Sequence, residues 1–231
     1  MQSKKRVLII AAHPDDDILG CGGFISRYSK EIDFRVIFIA EGSSCRYPYK
    51  DIGTKTVKEI ISQRNSCGVN ALGVLGVTDF KFYDLPCGRL DQVPIIEINK
   101  IIESEMIEFK PDSILTHNDK DANNDHQIVF KSTMMATRPG AKYMVNNLYS
   151  YEVLSSSEWK FTEAFKPNLY YSISEQDINN KWKALREYET EINEFPYPRS
   201  KDGLITLAKY RGMQSNNNFA EAFRIIRMIR K

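Results

Sequence analysis

Three features of the sequence predict an α/β fold, a Rossmann-like three-layer sandwich around a mostly parallel sheet. The first is the apolar run Val7–Ala12, which is nearly continuous and therefore reads as a strand buried on both faces. Apolar strand-like runs then alternate with segments of helical periodicity, as in strand–helix–strand units. Finally, clusters of His and Asp fall where predicted strands end, the place at which open α/β sheets carry their chemistry.

Taken in order, Val7–Ala12 is followed by a helix from Asp17 to about Lys30, with acidic side chains in its first turn, where the helix dipole favours them. Phe34–Ala40 is a second strand, and its loop Glu41–Tyr47 should border the site. Glu41 and Arg46 there read either as contacts to a polar substrate or as exposed ion pairs. A helix over Lys55–Ala71 carries Arg64, and the strand Asp79–Tyr83 delivers Asp84. Pro94–Phe109 has a helical stripe of Ile95, Ile96, Ile98, Ile101, Ile102 and Met106 that should pack on the sheet. After Pro111 comes the strand around Ile114–Leu115, then a helix over Gln127–Thr137. Asn147–Val153 should extend the sheet, and Asn168–Ile173 should lie at an edge. A helix over Ser174–Asn193 follows, with Ser174 and Asp177 resembling a capping box. The tail has a Pro-rich turn at Phe195–Ser200, a helix near Gly203–Tyr210 and a polar turn at Gln214–Asn218. From Phe219 it reads as a basic amphipathic helix packed through Phe219, Phe223, Ile226 and Ile229 or Ile225, with a membrane surface as the other reading.

A length of 231 residues suits one domain, with residues 1–150 as the core and 151–231 packed on it. At 42% hydrophobic and 27% charged residues the composition argues against disorder, and a net charge of +2 gives no electrostatic case for nucleic acid. The basic start Met1–Arg6 enters the first strand directly, with no apolar stretch long enough for a membrane span or a secretory signal. The expectation is a cytoplasmic protein. Cys21, Cys45, Cys67 and Cys87 form no Cys-x-x-Cys pair and read as free thiols in a reducing compartment. The subunit count stays open, a homo-oligomer included.

His13-Pro14-Asp15-Asp16-Asp17 at the end of the first strand places three carboxylates beside an imidazole. Like charges so close raise one another's pKa unless a cation sits among them, so the cluster points to a divalent metal. The competing reading has Asp16 and Asp17 capping the helix and His13 fixing the turn. A second cluster, Thr116–His126, contains His117 and His126, so all three histidines of the chain lie at predicted strand ends. Core histidines scattered through a fold rarely fall this way. A dinucleotide site is disfavoured, because Gly20, Gly22 and Gly23 do not follow the G-x-G-x-x-G spacing and carboxylates stand where a pyrophosphate would bind.

With AHPDD after the first strand and an Asp-His pair in the later loop, the chain resembles the PIG-L/LmbE-like family of zinc-dependent N-deacetylases. Leu85-Pro86-Cys87-Gly88-Arg89-Leu90-Asp91 is similar to the family's LPDGxL segment. Ala136-Thr137-Arg138-Pro139 and Ala220-Glu221-Ala222-Phe223 look like segments of members serving sugar metabolism. The resemblance implies an LmbE-like fold, zinc held by His13, Asp16 and His126, and Asp15 as general base. Two imidazoles and one carboxylate leave the metal an open position, the arrangement of a catalytic zinc. Iron, cobalt and manganese also suit such ligands.

The resemblance further implies a histidine three residues before the last ligand, acting as acid or oxyanion donor with the aspartate next to that ligand. Here Asn123 stands there and Asp125 is retained; Asn can donate a hydrogen bond but supplies no proton. His117 is the candidate to replace it, with a loop-fixing role as the alternative. Cys87 stands where relatives carry aspartate, so any grip on a sugar hydroxyl is lost or passes to Asp84 or Arg89. Arg64 matches a family arginine near the pocket, and Arg138 and Asn123 join Glu41, Arg46 and Asp84 as substrate contacts. Trp159, Phe161, Tyr170 and Tyr171 are either core or the walls of a sugar pocket. The implied reaction removes an acetyl group from an amino sugar, nucleotide-linked or a glycan precursor. The alternatives are a thiol-precursor glycoside or aminoglycoside intermediate as substrate, or a non-catalytic sugar-binding protein.

Overall fold

The computed structural model describes residues 4–230, so an expectation resting on Met1–Ser3 lies outside the described residues. Five strands, β1 (Lys5–Ala11), β2 (Ile32–Ala40), β3 (Asp79–Leu85), β4 (Ser113–His117) and β5 (Asn147–Tyr151), pair in parallel. Between them run α1 (Asp16–Tyr28), α2 (Lys55–Val74), α3 (Ile95–Phe109) and α4 (Asn124–Ala136). The C-terminal part adds β6 (Leu169–Ser172), α5 (Glu175–Leu185), α6 (Lys201–Gln214) and β7 (Ala220–Met228). The order across the sheet is β3-β2-β1-β4-β5-β7-β6, with β7 antiparallel to both its neighbours and β6 at the edge. This is the α/β architecture with a mostly parallel sheet that the sequence predicts.

Alternation along β1 builds both apolar layers. Val7, Ile9 and Ala11 pack on the side of α1, whereas Leu8, Ile10 and Ala12 face the side of α3 and α4, and all six are buried. Two covered faces leave no polar side to the strand, the physical reason its sequence reads as one apolar run. The chain leaves β1 for β2 on one side and later returns to β4 on the other. A crevice is thereby opened at the carboxyl ends of β1 and β4, which brings residues 12–17 against residues 117–126.

The glycines of α1 serve packing. A Cβ added at Gly20 would collide with the Tyr151 ring, and one at Gly22 would come within 2.8 Å of Lys181 Cγ. Through this gap Lys181 Nζ donates to Leu19 O at 2.8 Å and to Glu221 Oε1 at 2.6 Å, while the Glu221 carboxylate accepts from Gly23 N and Phe24 N. A buried ion pair thus clasps the helix that carries Asp16.

The tail departs from expectation. Phe219 onward is not a helix: Ala220–Met228 forms β7, so both the packed-helix and the membrane-surface readings fall. Phe223 enters the core on the α1 side and Ile226 packs on the opposite side, as a strand inserted between β5 and β6 requires. The helical spacing of 219, 223 and 226 is real, but pairing on two open strand edges overrides it. The expected helix 174–193 also ends early, at Leu185, and the chain then turns to bring Tyr188 and Glu191 toward Arg64. Its capping box is present, with Asp177 N donating to Ser174 Oγ and Ser174 N to Asp177 Oδ2. Phe161 is 91% exposed and Trp159 is exposed too, so neither is core, whereas Tyr171 packs against Phe24 and Phe223. All four cysteines are free thiols.

Candidate active site

At the end of β1 the chain turns through His13 and Pro14, and Asp15 takes a positive φ of 125° before α1 begins at Asp16. A non-glycine residue in that region is strained, and such strain persists only where the surroundings enforce it. Here the turn releases the Asp15 side chain from capping and sends the adjacent carboxylates to different partners. Asp16 Oδ2 accepts from His13 N at 2.8 Å and lies 3.2 Å from His13 Nδ1, 3.3 Å from His126 Nε2 and 3.5 Å from His117 Nε2. His126 comes from the first turn of α4, which Asn123 caps by accepting from Asp125 N at 2.9 Å. Residues more than a hundred positions apart therefore meet: His13, Asp16 and His126 each offer a ligating atom, all within 4.8 Å of one another.

Each of the two imidazoles also faces a second carboxylate. His13 Nε2 lies 3.0 Å from Asp125 Oδ2, and Asp125 is fixed in turn by Gly88 N at 2.6 Å and Leu90 N at 3.2 Å. His126 Nδ1 lies 3.1 Å from Asp121 Oδ1, and Asp121 accepts from both Ser156 Oγ and Ser157 Oγ. Carboxylates placed on the outer nitrogens orient the rings and leave the inner ones for a cation. Cys87 could complete another set with His13 and Asp125, but Asp125 is already committed to two backbone amides.

The charges agree with a cation site. Burial works against a charged His13 ring, yet Asp125 and Asp16 outweigh it and push the ring up to about 10. His126, also opposed by burial, is pushed up to about 9 by Asp16 and Asp121. Asp16, despite its own burial, is held well below the usual carboxylate range by the His126 charge and by its contacts with His126 and His13. The donor set fits a divalent ion on geometry too, because the inner nitrogen of buried His126, Nε2, has no hydrogen-bond partner and stands 3.3 Å from Asp16 Oδ2.

His117 is not delivered to the crevice. It is fully buried, stacked on His126 at 3.9 Å, and its Nε2 accepts from Ala12 N at 2.8 Å. Burial, then the neighbouring His126 charge, keep it neutral well below the ordinary histidine range. Its contact with Ala12 N is what the loop-fixing alternative expects.

Asp15 lies in a second charge system. Its Oδ2 accepts from Arg64 Nη2 at 2.7 Å and from Arg199 Nη1 at 2.6 Å. Glu191 neutralises these cations from the other side, 2.8 Å from Arg64 Nη1, 2.6 Å from Arg46 Nη2 and 3.3 Å from Arg199 Nη1. Arg64 stacks over the Tyr188 ring at 4.7 Å. Burial pushes the Asp15 carboxyl upward, and Arg199 and Arg64 oppose that rise.

Other residues singled out in the sequence fall elsewhere. Glu41 is buried and its carboxylate is taken up by Ser43 N, Ser44 N and Cys87 N, so it ties two loops together rather than forming an exposed pair. Asp84 lies at the surface, accepting from Asn65 Nδ2 at 3.0 Å. Arg89 spends its guanidinium on the carbonyls of Ser44, Cys87 and Tyr47. Arg138 pairs with Glu103 beyond the far end of α4, about 20 Å along the helix from Asp125 at 1.5 Å per residue. Asp121, Glu191 and Arg199 were not singled out. Asp121 had a signal, a carboxylate in the same loop as His126; Glu191 and Arg199 had none, since their spacing to Asp15 exists only in space.

Comparisons with known proteins give the family and the fold. Residues 8–137 match the PIG-L family, described as GlcNAc-PI de-N-acetylase. The chain is 27% identical over 192 residues to the uncharacterized deacetylase YaiS of Escherichia coli K12, covering 81% of this chain and 92% of that one. It is 24% identical over 230 residues to the diacetylchitobiose deacetylase of Thermococcus kodakarensis, covering 96% and 83%. Among solved structures, the conserved protein TT1542 of Thermus thermophilus superposes with a TM-score of 0.75 at 20% identity, covering 97% of this chain and 96% of that one. The 4-carboxy-2-hydroxymuconate hydratase GalB of Pseudomonas putida KT2440 does so at 0.72 with 18% identity, covering 98% of each. Since a hydratase shares the fold, the fold alone does not select the reaction.

Proposed function

The chain belongs to the PIG-L family, and on that premise we propose that it is a metal-dependent hydrolase that removes the N-acetyl group of an amino sugar. The observation that carries this reading is the pairing of Asp16, between His13 Nδ1 and His126 Nε2, with Asp15 beside it on an independent pair of arginines. His13, Asp16 and His126 would hold the metal, and zinc is the ion that two imidazoles and a carboxylate suit best. When bound, such an ion supplies Lewis acidity toward an amide carbonyl and lowers the pKa of a water.

The chain's own groups account for the proton. Both arginines engage Asp15 Oδ2, so Oδ1 is the oxygen that takes the proton of the attacking water. A bond then forms between the water oxygen and the carbonyl carbon, and the C–N bond breaks as the amine receives that proton from Asp15. Neither His117 nor Asn123 supplies it, the first sealed and neutral, the second an amide engaged in capping. Upward pressure from burial suits Asp15 to hold the proton between the two steps.

The substrate class follows the relatives that deacetylate a sugar, of which the diacetylchitobiose deacetylase is one. The segments whose likeness to sugar-metabolism members suggested a nucleotide-linked or glycan-precursor sugar, around Arg138 and Glu221, make their contacts elsewhere and do not choose between the two. The test is acetate release from N-acetylated mono- and disaccharides by zinc-loaded protein. Turnover that disappears in Asp15→Asn with the metal retained supports the reading. Loaded wild-type protein that binds such sugars but releases no acetate makes it a binding protein instead.

A further inference from the structure

The reaction proposed above leaves one charge without an assigned partner besides the metal, the negative charge that develops on the acetyl carbonyl oxygen. The residue types that would serve are absent from their expected places. Asn123, with its side-chain oxygen on Asp125 N, has only a neutral amide N–H to offer where a histidine is expected, and His117 is buried behind His126. The cations nearest the site are the two arginines on Asp15, and their settings differ. Arg64 has a side chain only 6% exposed, stacked on Tyr188 and paired with Glu191, and its unpartnered Nε is enclosed on the side of Gly42. Arg199 comes from the turn before α6, is more exposed at 15%, and approaches Asp15 from the C-terminal side. Its Nη1 reaches Asp15 and Glu191 and its Nε donates to Ser155 Oγ at 2.5 Å, which leaves Nη2 with no hydrogen-bond partner among the described residues.

We propose that Arg199 is a catalytic residue whose free Nη2–H donates to the oxyanion of the tetrahedral adduct. The inference rests on the hydrolase reading and adds to it a residue of this chain's C-terminal segment. When water adds to the carbonyl, the π-electron pair moves onto oxygen, the water proton goes to Asp15, and Arg199 stays cationic throughout. Collapse re-forms the carbonyl, expels the amine and returns the proton to it. Held at Nη1 and Nε, the guanidinium is oriented before the charge appears, the condition under which such a donor is most effective.

Arg199→Ala and Arg199→Lys, in the zinc-loaded full chain, test this. Removing an oxyanion donor should lower kcat about 10²–10³-fold with KM nearly unchanged, and Lys, lacking the fork, should restore only part. Added methylguanidine should partly rescue the Ala variant, which a purely structural role would not allow. A readout independent of turnover is calorimetric binding of a phosphonamidate analogue of an N-acetylated amino sugar, tetrahedral and anionic. Arg199→Ala should bind it about 100-fold more weakly while affinity for the uncleaved amide, measured in an Asp15→Asn background, is retained. The inference is overturned if Arg199→Ala turns over like wild type, or loses amide and analogue equally. Should Ala not fold, Arg199→Lys decides: full wild-type kcat and analogue affinity overturn it. If loaded wild-type protein itself releases no acetate, the hydrolase reading falls and takes this inference with it; normal wild-type turnover with an unaffected variant removes Arg199 alone.

Discussion

Asp15 and Asp16 are adjacent in sequence and both buried, yet the surroundings neutralise them by opposite means. Around Asp16 stand three imidazoles, with Asp121 and Asp125 behind two of them, and among the described residues no lysine or arginine is paired there. That half balances its carboxylates with protons on the rings or with a bound cation. Around Asp15 the cations are built in, Arg64 and Arg199 shared with Glu191, which also holds Arg46. The difference teaches that one turn can hold two kinds of neutralisation: an exchangeable charge beside Asp16, as an ion site requires, and a permanent one beside Asp15, which keeps that carboxylate positioned whatever its protonation.

The comparison can be broken at either half, most severely on the ion side. His13→Ala should lose the metal and all amide hydrolysis, and exhaustive chelation of wild-type protein should do the same reversibly, with metal content measured alongside acetate release. Asp15→Asn should keep the ion and lower kcat about 10²–10⁴-fold, so a variant that retains activity would remove Asp15 from proton transfer.

Glu191→Gln leaves three arginines short of a buried counter-charge and should cost about 3–5 kcal/mol of stability at neutral pH by denaturant unfolding. Glu191 is opposed by burial but held below its ordinary value of 4.5 by Arg64, Arg46 and Arg199. A depressed carboxylate stabilises the fold above its unfolded pKa and loses that contribution as pH falls through the folded one. The gap between wild type and Glu191→Gln should therefore narrow progressively below about pH 4.5.

His117→Ala leaves Ala12 N without its acceptor and should cost about 1–3 kcal/mol in a melt, with kcat near wild type once metal saturates. A collapse of kcat in fully loaded protein would restore His117 as the acid. The smallest effect belongs to Arg138→Ala, expected within about 0.5 kcal/mol in stability, with turnover unchanged.

Much of the ion half was legible because its signals are local. An apolar run ending in His-Pro-Asp-Asp, and a later strand ending in a His- and Asp-rich loop, announce strand ends whatever the rest of the chain does. Arg64 was flagged by resemblance, but its partners Glu191 and Arg199 lie on a segment with no periodic or compositional mark. The misread tail has the same cause. Phe219, Phe223 and Ile226 satisfy a helical spacing, and only the open edges of β5 and β6 decide for a strand. Glu221, on that strand, then supplies the carboxylate that clasps α1.

By itself the sequence determined the strand–helix alternation, the two-faced burial of β1 and the meeting of His13, Asp16 and His126 at strand ends, since these follow from short-range pattern and from where strands stop. Only the tertiary structure decided which carboxylate faces imidazoles and which faces arginines, that His117 is buried while Arg199 reaches Asp15, and that the tail completes the sheet. Those choices depend on groups brought together from distant parts of the chain, and interactions across such separations leave no trace in the spacing of residues along it.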